Sequence, residues 1–129
     1  EGLGVVDLSH RGVVTVTGPD RLSPQLAYLT DPWQPAVLRL IQHTCIVGQA
    51  NNVAVGVCGE AAADPMLACV LTGLGVNSLS AASTAVAGVG AQLAEVTLEQ
   101  CQQLSEVALD AESPDAARTA VVERMESFA

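Results

Sequence analysis

The chain has 129 residues, of which 50% are hydrophobic and 15% are charged, so it predicts one compact domain over residues 1–129 and not a disordered segment. Its acidic residues number 14 against 5 basic ones, and the formal net charge is -9. Nucleic acids and anionic membranes are bound by clustered cations, so neither is an expected partner, and small molecules or other proteins remain.

The first part of the chain predicts short β-strands. Residues 13–17 form a β-branched run bounded by Gly12 and Gly18, and residues 5–8 are a shorter candidate of the same kind. A loop that contains two prolines follows at residues 31–35, and Trp33 within it is expected to anchor packing or a dimer contact.

The next segment predicts an amphipathic helix that ends at the turn Asn51–Asn52. Polar residues, among them His43, lie on one side of this helix, so His43 is expected to face solvent. Helical spacing places the following residues on the opposite, inward side: Val37, Leu40, Ile41, Thr44, Cys45 and Gly48.

The middle of the chain predicts alternating strands and helices. Residues 53–58 are apolar throughout, which is typical of a parallel strand buried on both faces. Asp64 and Pro65 then have the pattern of an N-cap and a first helical residue, and Gly73 ends that helix. Residues 76–80 are a candidate for a further strand, followed by a helix of small residues.

Two more helices are predicted towards the C-terminus. Thr97 and Gln100 form a capping-box pattern at the start of the first, and Ser113 precedes Pro114 at the start of the second. The inner faces of these helices are expected to carry Leu98, Cys101, Leu104, Ala108, Ala117, Val121 and Met125.

This order of elements predicts an α/β fold with a parallel sheet and right-handed crossovers. Parallel sheets bind ligands at the carboxyl ends of their strands. That rule selects Cys58, Gly59 and Glu60 after the clearest strand, and Ser80 after the next one.

The four cysteines predict reduced thiols. No C-x-x-C pair is present and neither histidine has ligand spacing from a cysteine, so a zinc site is not expected. Cys45, Cys69 and Cys101 fall on apolar helix faces and are expected in the core, which needs no disulfide framework. The start at Glu1 has no basic region of a signal peptide, so a cytoplasmic location is expected.

Three motifs resemble the C-terminal part of enzyme I of the phosphoenolpyruvate-dependent sugar phosphotransferase system. They are DPWQPAVLRLI at residues 31–41, VGVCGE at residues 55–60 and GLGV with a following Leu-Ser at residues 73–80. The resemblance covers residues 20–112 and implies three βα units of an incomplete (β/α)8 (TIM) barrel, with residues 113–129 as an extra C-terminal helix. A complete barrel needs about 250 residues, roughly twice this length.

The resemblance also implies a chemistry. Phosphoenolpyruvate, held with Mg²⁺, transfers its phosphoryl group to a histidine of a separate domain, and Cys58 protonates the enolate. A thiol suits this step because its ordinary pKa of about 8.5 lets it give and take a proton near neutrality. Arg21 would bind the substrate phosphate or carboxylate, and Gly59 would let the backbone approach the ligand.

Asp7 is the candidate magnesium ligand, although a single carboxylate makes a poor magnesium site. The implied partners are phosphoenolpyruvate, a phosphocarrier protein in the complete enzyme and a second copy of the chain. Because most cations of such a site lie outside this chain, the isolated chain is expected to be inactive.

Residues 1–20 fit the resemblance less well and form a divergent N-terminal strand segment. Residues 5–23 instead resemble the opening of the folate-binding aminomethyltransferase-like family. Three functions therefore stay open: a phosphoenolpyruvate-binding portion of a phosphotransferase, a non-catalytic dimerisation or scaffold module, and a folate-binding module.

Overall fold

The computed structural model describes residues 30–128. The strands predicted at residues 5–8 and 13–17, together with Asp7 and Arg21, lie outside these residues. Within them, no helix is long and apolar enough to cross a membrane. In chain order the elements are α1 (Pro35–Ala50), β1 (Gly56–Cys58), α2 (Glu60–Ala63), α3 (Pro65–Gly73), β2 (Ser78–Ser80), α4 (Ser83–Ala94), α5 (Leu98–Asp110) and α6 (Pro114–Glu126).

Strands β1 and β2 pair in parallel and are joined through α2 and α3. Their register places Gly56 opposite Ser78, and Cys58 opposite Ser80. Just before β2, the Asn77 side-chain oxygen accepts from the Val55 N–H at 2.9 Å, while the Asn77 N–H donates to the Val55 carbonyl at 2.8 Å. The mixed α/β class with parallel strands is thus confirmed, and the incomplete barrel stays a prediction.

The two faces of this sheet differ. Val57 and Leu79 are partly buried and pack against the hydrophobic core. The neighbouring positions on both strands, Gly56, Cys58 and Ser80 among them, are exposed. The prediction of a strand at 53–58 buried on both faces was therefore wrong. β1 has only three residues, and its side chains alternate between the helices and the exposed face.

Helix α3 is the centre of the core. Its residues 67–71 are all buried, which fits its almost wholly apolar sequence. α3 packs chiefly on α5, and α5 packs on α6. A methyl group at Gly73 would collide with the backbone carbonyl of Cys101 on α5, so the absence of a side chain at this position permits the close crossing.

The predicted helix starts are confirmed. Asp64 caps α3, since its carboxylate accepts from the N–H groups of Met66 at 3.0 Å and Leu67 at 3.1 Å. Thr97 and Gln100 form the reciprocal capping box of α5, with hydrogen bonds of 3.2 and 2.8 Å. These side chains satisfy amide donors that have no partner within the helix.

Two predicted helix faces were partly wrong. In α1 the fully buried residue is Leu38, whereas Leu40, expected to face inward, is 52% exposed. At the start of α5, Leu98 was also expected inward and is 60% exposed. α1 is apolar on more than one side, and its packing against α5 selects the side that becomes buried.

A cluster around Trp33 joins the loop before α1 to α3 and α6. The indole N–H of Trp33 donates to the Asp64 carboxylate at 2.9 Å, and the ring is 2% exposed. The guanidinium of Arg118 lies 5.6 Å from the ring centroid and pairs with both carboxylate oxygens of Asp31 at 2.8 Å. These four residues are called the Trp33 cluster below, and they confirm the expected packing role of Trp33.

Candidate functional site

Cys58 is the last residue of β1 and lies directly opposite Ser80, the last residue of β2. Both residues are exposed. Parallel strands present their carboxyl ends at one edge, which is where sheets of this kind bind ligands. The placement predicted for Cys58 and Ser80 at this edge is thus confirmed, while a catalytic role for Cys58 stays a prediction.

Gly59 turns the chain from β1 into α2 directly after the thiol. Its φ of 84° and ψ of -152° lie in a region that is open almost only to glycine. Its N–H donates to the Ser80 carbonyl at 3.0 Å, which ties the ends of the two strands together. No heavy atom lies within 4 Å of the position that a Cβ would occupy, so the turn is bordered by open space.

The exposed face of the sheet carries small polar groups around the thiol. A Cβ added to Gly56 would lie 2.6 Å from the Ser78 hydroxyl oxygen, so the Ser78 side chain projects on the same face as that missing Cβ. Side chains two residues apart on a strand share a face. Cys58 and Ser80 therefore project on that same side, one step closer to the carboxyl edge.

The other three cysteines are buried, as predicted. Burial raises the pKa of the Cys45 thiol and of the Cys101 thiol above their usual value. Burial, together with the neighbouring Cys101, raises the pKa of Cys69 to about 12. The thiolate, which is the reactive form of cysteine, is strongly disfavoured at these positions. Cys58 is the one cysteine that is exposed to solvent.

The structure brings together part of the predicted site. Cys58 and Gly59 meet Ser80 at the sheet edge, and Glu60 begins α2 with an exposed side chain. Arg21 and Asp7 lie outside the described residues. Between residues 30 and 128, no group of three or more histidine, cysteine or acidic side chains is arranged to hold a metal ion. This part of the chain therefore does not fit a magnesium site by itself.

Two contributors to the edge were not singled out from the sequence. Asn77 fixes the start of β2 against Val55 through side-chain and backbone hydrogen bonds. Ser78 shares the exposed face with the thiol. Side chains alternate along a strand with period two, so counting back from Ser80 would have identified Ser78. The two hydrogen bonds between Asn77 and Val55 depend on a strand pairing that composition does not specify.

Residues 13–98 match the protein family described as PEP-utilising enzyme, PEP-binding domain. The phosphoenolpyruvate-protein phosphotransferase of Streptomyces coelicolor is 50% identical over 101 residues, which make up 78% of this chain and 18% of that protein. The multiphosphoryl transfer protein of Rhodobacter capsulatus is 46% identical over 90 residues, or 70% of this chain and 11% of that protein.

The phosphoenolpyruvate-protein phosphotransferase of Mycoplasma genitalium is 37% identical over 102 residues, which make up 79% of this chain and 18% of that protein. The chain thus spans between 11% and 18% of the length of these three curated relatives. Their similarity supports the resemblance that the motifs around residues 31–41 and 55–60 indicated.

Proposed function

Because the chain belongs to the PEP-utilising enzyme, PEP-binding domain family, we propose that it is the C-terminal portion of a phosphoenolpyruvate-protein phosphotransferase. Its role there is to bind phosphoenolpyruvate and to supply the Cys58 thiol as the proton donor to enolpyruvate. The observation that carries this proposal is the exposed thiol at the carboxyl edge of a parallel strand pair, followed at once by a glycine with positive φ.

The proton step requires a thiol that faces the substrate. Transfer of the phosphoryl group to a histidine of another domain breaks the bond between the bridging oxygen and phosphorus and leaves the enolate of pyruvate. The Cys58 S–H bond then breaks, its proton forms a C–H bond with the methylene carbon, and the thiolate keeps the electron pair. Pyruvate, a phosphohistidine and a thiolate are the products, and the thiolate takes a proton from water before the next forward turnover.

Other parts of the site come from residues with separate support. We assign Gly59 to the close approach of the backbone, since the space beside its Cα is open. Arg21 is proposed to bind the phosphate or carboxylate of the substrate, because a planar guanidinium matches both groups. Asp7 is proposed as a magnesium ligand of the complete enzyme, because carboxylate oxygens are the ligands that Mg²⁺ prefers in proteins.

The isolated chain is proposed to be inactive. It spans 18% of the Streptomyces coelicolor relative, and phosphoryl transfer depends on several positioned cations. Incubation of the pure 129-residue chain with phosphoenolpyruvate and Mg²⁺ is expected to release no pyruvate. Pyruvate release that disappears in Cys58→Ala would contradict inactivity and support the role of the thiol.

The role of Cys58 is tested in a chimera. Residues 20–112 replace the corresponding segment of the Streptomyces coelicolor enzyme, and phosphoryl transfer to its phosphocarrier protein is measured. The chimera with Cys58→Ala is expected to lose at least about a hundredfold of its rate, the usual contribution of general acid catalysis. Cys45→Ala is the matched control, since it removes a buried thiol away from the edge, and an equal loss in both variants would contradict the proposal.

A second proposed role is that of a dimerisation module. The proposed basis is burial of large apolar side chains that are about half exposed in one copy of the chain: Leu40, Ile46, Val47, Val86, Leu98 and Val122. Light scattering at high protein concentration is expected to give the mass of a dimer. A strictly monomeric mass would remove this role and leave the catalytic proposal intact.

A further inference from the structure

We propose that Ser80 is a positioning residue for Cys58. Its hydroxyl orients the thiol and donates a hydrogen bond to the thiolate that remains after the thiol gives up its proton. The inference deepens the proposed function and rests on Cys58 as the proton donor. Its basis is the pairing of the two residues at the carboxyl edge of the sheet.

The backbone holds the two side chains at a fixed spacing. Cys58 and Ser80 are register partners, and the Gly59 N–H donates to the Ser80 carbonyl at 3.0 Å. Adjacent strands lie roughly 4.8 Å apart. Both side chains project on one face, and the proposed contact requires only a change of χ1 between staggered rotamers.

The Ser80 hydroxyl is available for this role. Among residues 30–128 it donates to no other protein group, unlike Ser105 and Ser127. Those two hydroxyls donate to backbone carbonyls three residues earlier, at 2.7 and 2.6 Å. Ser80 lies at the end of an extended strand, where the carbonyl three residues earlier is out of reach. Its hydroxyl therefore donates to solvent or to the neighbouring thiol.

The charges near the thiol make a hydroxyl donor useful. Two elements contact β1 most closely: β2 carries no ionisable side chain, and α2 carries only Glu60. These two elements therefore offer the thiolate no cationic partner, and a hydroxyl is the kind of donor that the paired strand supplies. Ser80 is the register partner of Cys58 across the strand pair and carries a neutral donor.

Alkylation by iodoacetamide measures this coupling in the full chain, since Cys58 is its one exposed cysteine. A hydrogen bond to the thiolate favours its formation and makes it less nucleophilic, and Ser80→Ala removes both effects. The freed thiolate is about threefold more nucleophilic. Ser80→Ala is therefore expected to react about threefold more slowly at about pH 7 and about threefold faster at about pH 11.

This crossing of the two rate profiles separates a hydrogen bond from a structural effect. A variant that merely loosens the edge changes access to the thiol and moves the rate in one direction at both pH values. Ser78→Ala is the matched control, because it removes the same group from the same face one step further from the edge. It is expected to leave the profile unchanged.

An isosteric pair protects the test against a folding defect in Ser80→Ala. Ser80→Thr keeps the hydroxyl and is expected to retain the original dependence of the alkylation rate on pH. Ser80→Val loses the hydroxyl, and its alkylation rate is expected to be lower than the original at about pH 7 and higher at about pH 11. Both β-branched residues suit a strand. Unchanged profiles in Ser80→Ala and Ser80→Val, or the same crossing in Ser78→Ala, would overturn the inference.

The alkylation result is independent of substrate chemistry. If Cys58→Ala leaves phosphoryl transfer by the chimera unchanged, the proposed function fails, and the crossing profile still reports a hydroxyl that acts on this thiol. If the chimera loses its rate and the profiles do not cross, the proposed function stands and the role of Ser80 is removed.

Discussion

Cys58 at the carboxyl edge of the sheet and Cys69 in the interface between α3 and α5 lie in opposite surroundings. Cys58 is exposed and follows a three-residue strand. Cys69 is 0% exposed, its thiol donates to the Pro65 carbonyl at 3.5 Å, and burial raises its pKa to about 12. Reactivity in this chain is therefore set by the packing around each thiol, and the following experiments challenge that contrast.

Alkylation kinetics of the native chain are expected to give the largest effect. Cys58 should react at least on the order of a thousandfold faster than the buried thiols, which must wait for local unfolding. Mass spectrometry after timed quenching measures the modified sites, and all four cysteines should react at similar rates in denaturant. Native-state modification of Cys69 or Cys101 at the rate of Cys58 would contradict the contrast.

Gly73→Ala is expected to disrupt the packing between α3 and α5 that buries Cys69. The added methyl group would collide with the Cys101 backbone, so the free energy of unfolding should fall by about 3 kcal/mol. Urea denaturation measures the loss. Gly88→Ala is the control, because a Cβ at Gly88 in α4 meets open space, and this variant should gain about 0.5–1 kcal/mol from its helix propensity.

Alkaline pH is expected to weaken the chain through Cys69. Its pKa is raised from the usual range of a thiol to about 12 in the folded state, so the unfolded thiol ionises first. The stability contributed by the neutral thiol is complete below pH 9.0 and is lost as pH rises towards about 12, at up to about 1.4 kcal/mol per pH unit. Thermal unfolding across this range measures the slope.

Cys69→Ala should reduce that slope, and the remainder should come from Cys45 and Cys101, because burial raises the pKa of these two thiols as well. The chain has no lysine, so few other groups titrate in this range. A slope of undiminished size in Cys69→Ala would contradict the role assigned to Cys69.

Trp33→Phe tests the support of α3 without touching the sheet edge. The variant loses the indole hydrogen bond to Asp64, the residue that caps α3. A decrease of about 1–2 kcal/mol in the free energy of unfolding is expected, measured by urea denaturation. The native alkylation rate of Cys58 should stay the same. A changed rate would mean that the edge and the Trp33 cluster are coupled.

Arg118→Met is expected to have the smallest effect. Arg118 pairs with Asp31 and lies over the Trp33 ring, but its side chain is 41% exposed, so the loss should be about 1 kcal/mol at low salt. Arg124→Met, on the same helix and outside the Trp33 cluster, is the control and should cause almost no change. Equal losses in both variants would argue for a general charge effect.

The local signals of the sequence were reliable where one side chain acts on its own backbone. Asp64 and Thr97 form the expected helix caps because the groups they bond lie two or three residues away. The helix faces were less predictable. Leu38 and Leu40 are equally apolar, and contact between α1 and α5 buries only Leu38.

The site divides in the same way. The motif around residues 55–60 located the thiol and its glycine, and the strand pairing confirmed their place at the carboxyl edge. The pairing of Gly56 with Ser78 and the hydrogen bonds of Asn77 to Val55 join residues more than 20 positions apart in the chain. Only a long-range register brings such groups together.

The sequence by itself determined the family, the helix starts and the position of Cys58 after a strand, because each depends on residues adjacent in the chain. The tertiary structure alone decided which apolar faces are buried, which of four cysteines meets solvent and which hydroxyl lies beside the thiol. These outcomes depend on close packing between distant segments, and a hydrophobic pattern limits that packing without fixing it.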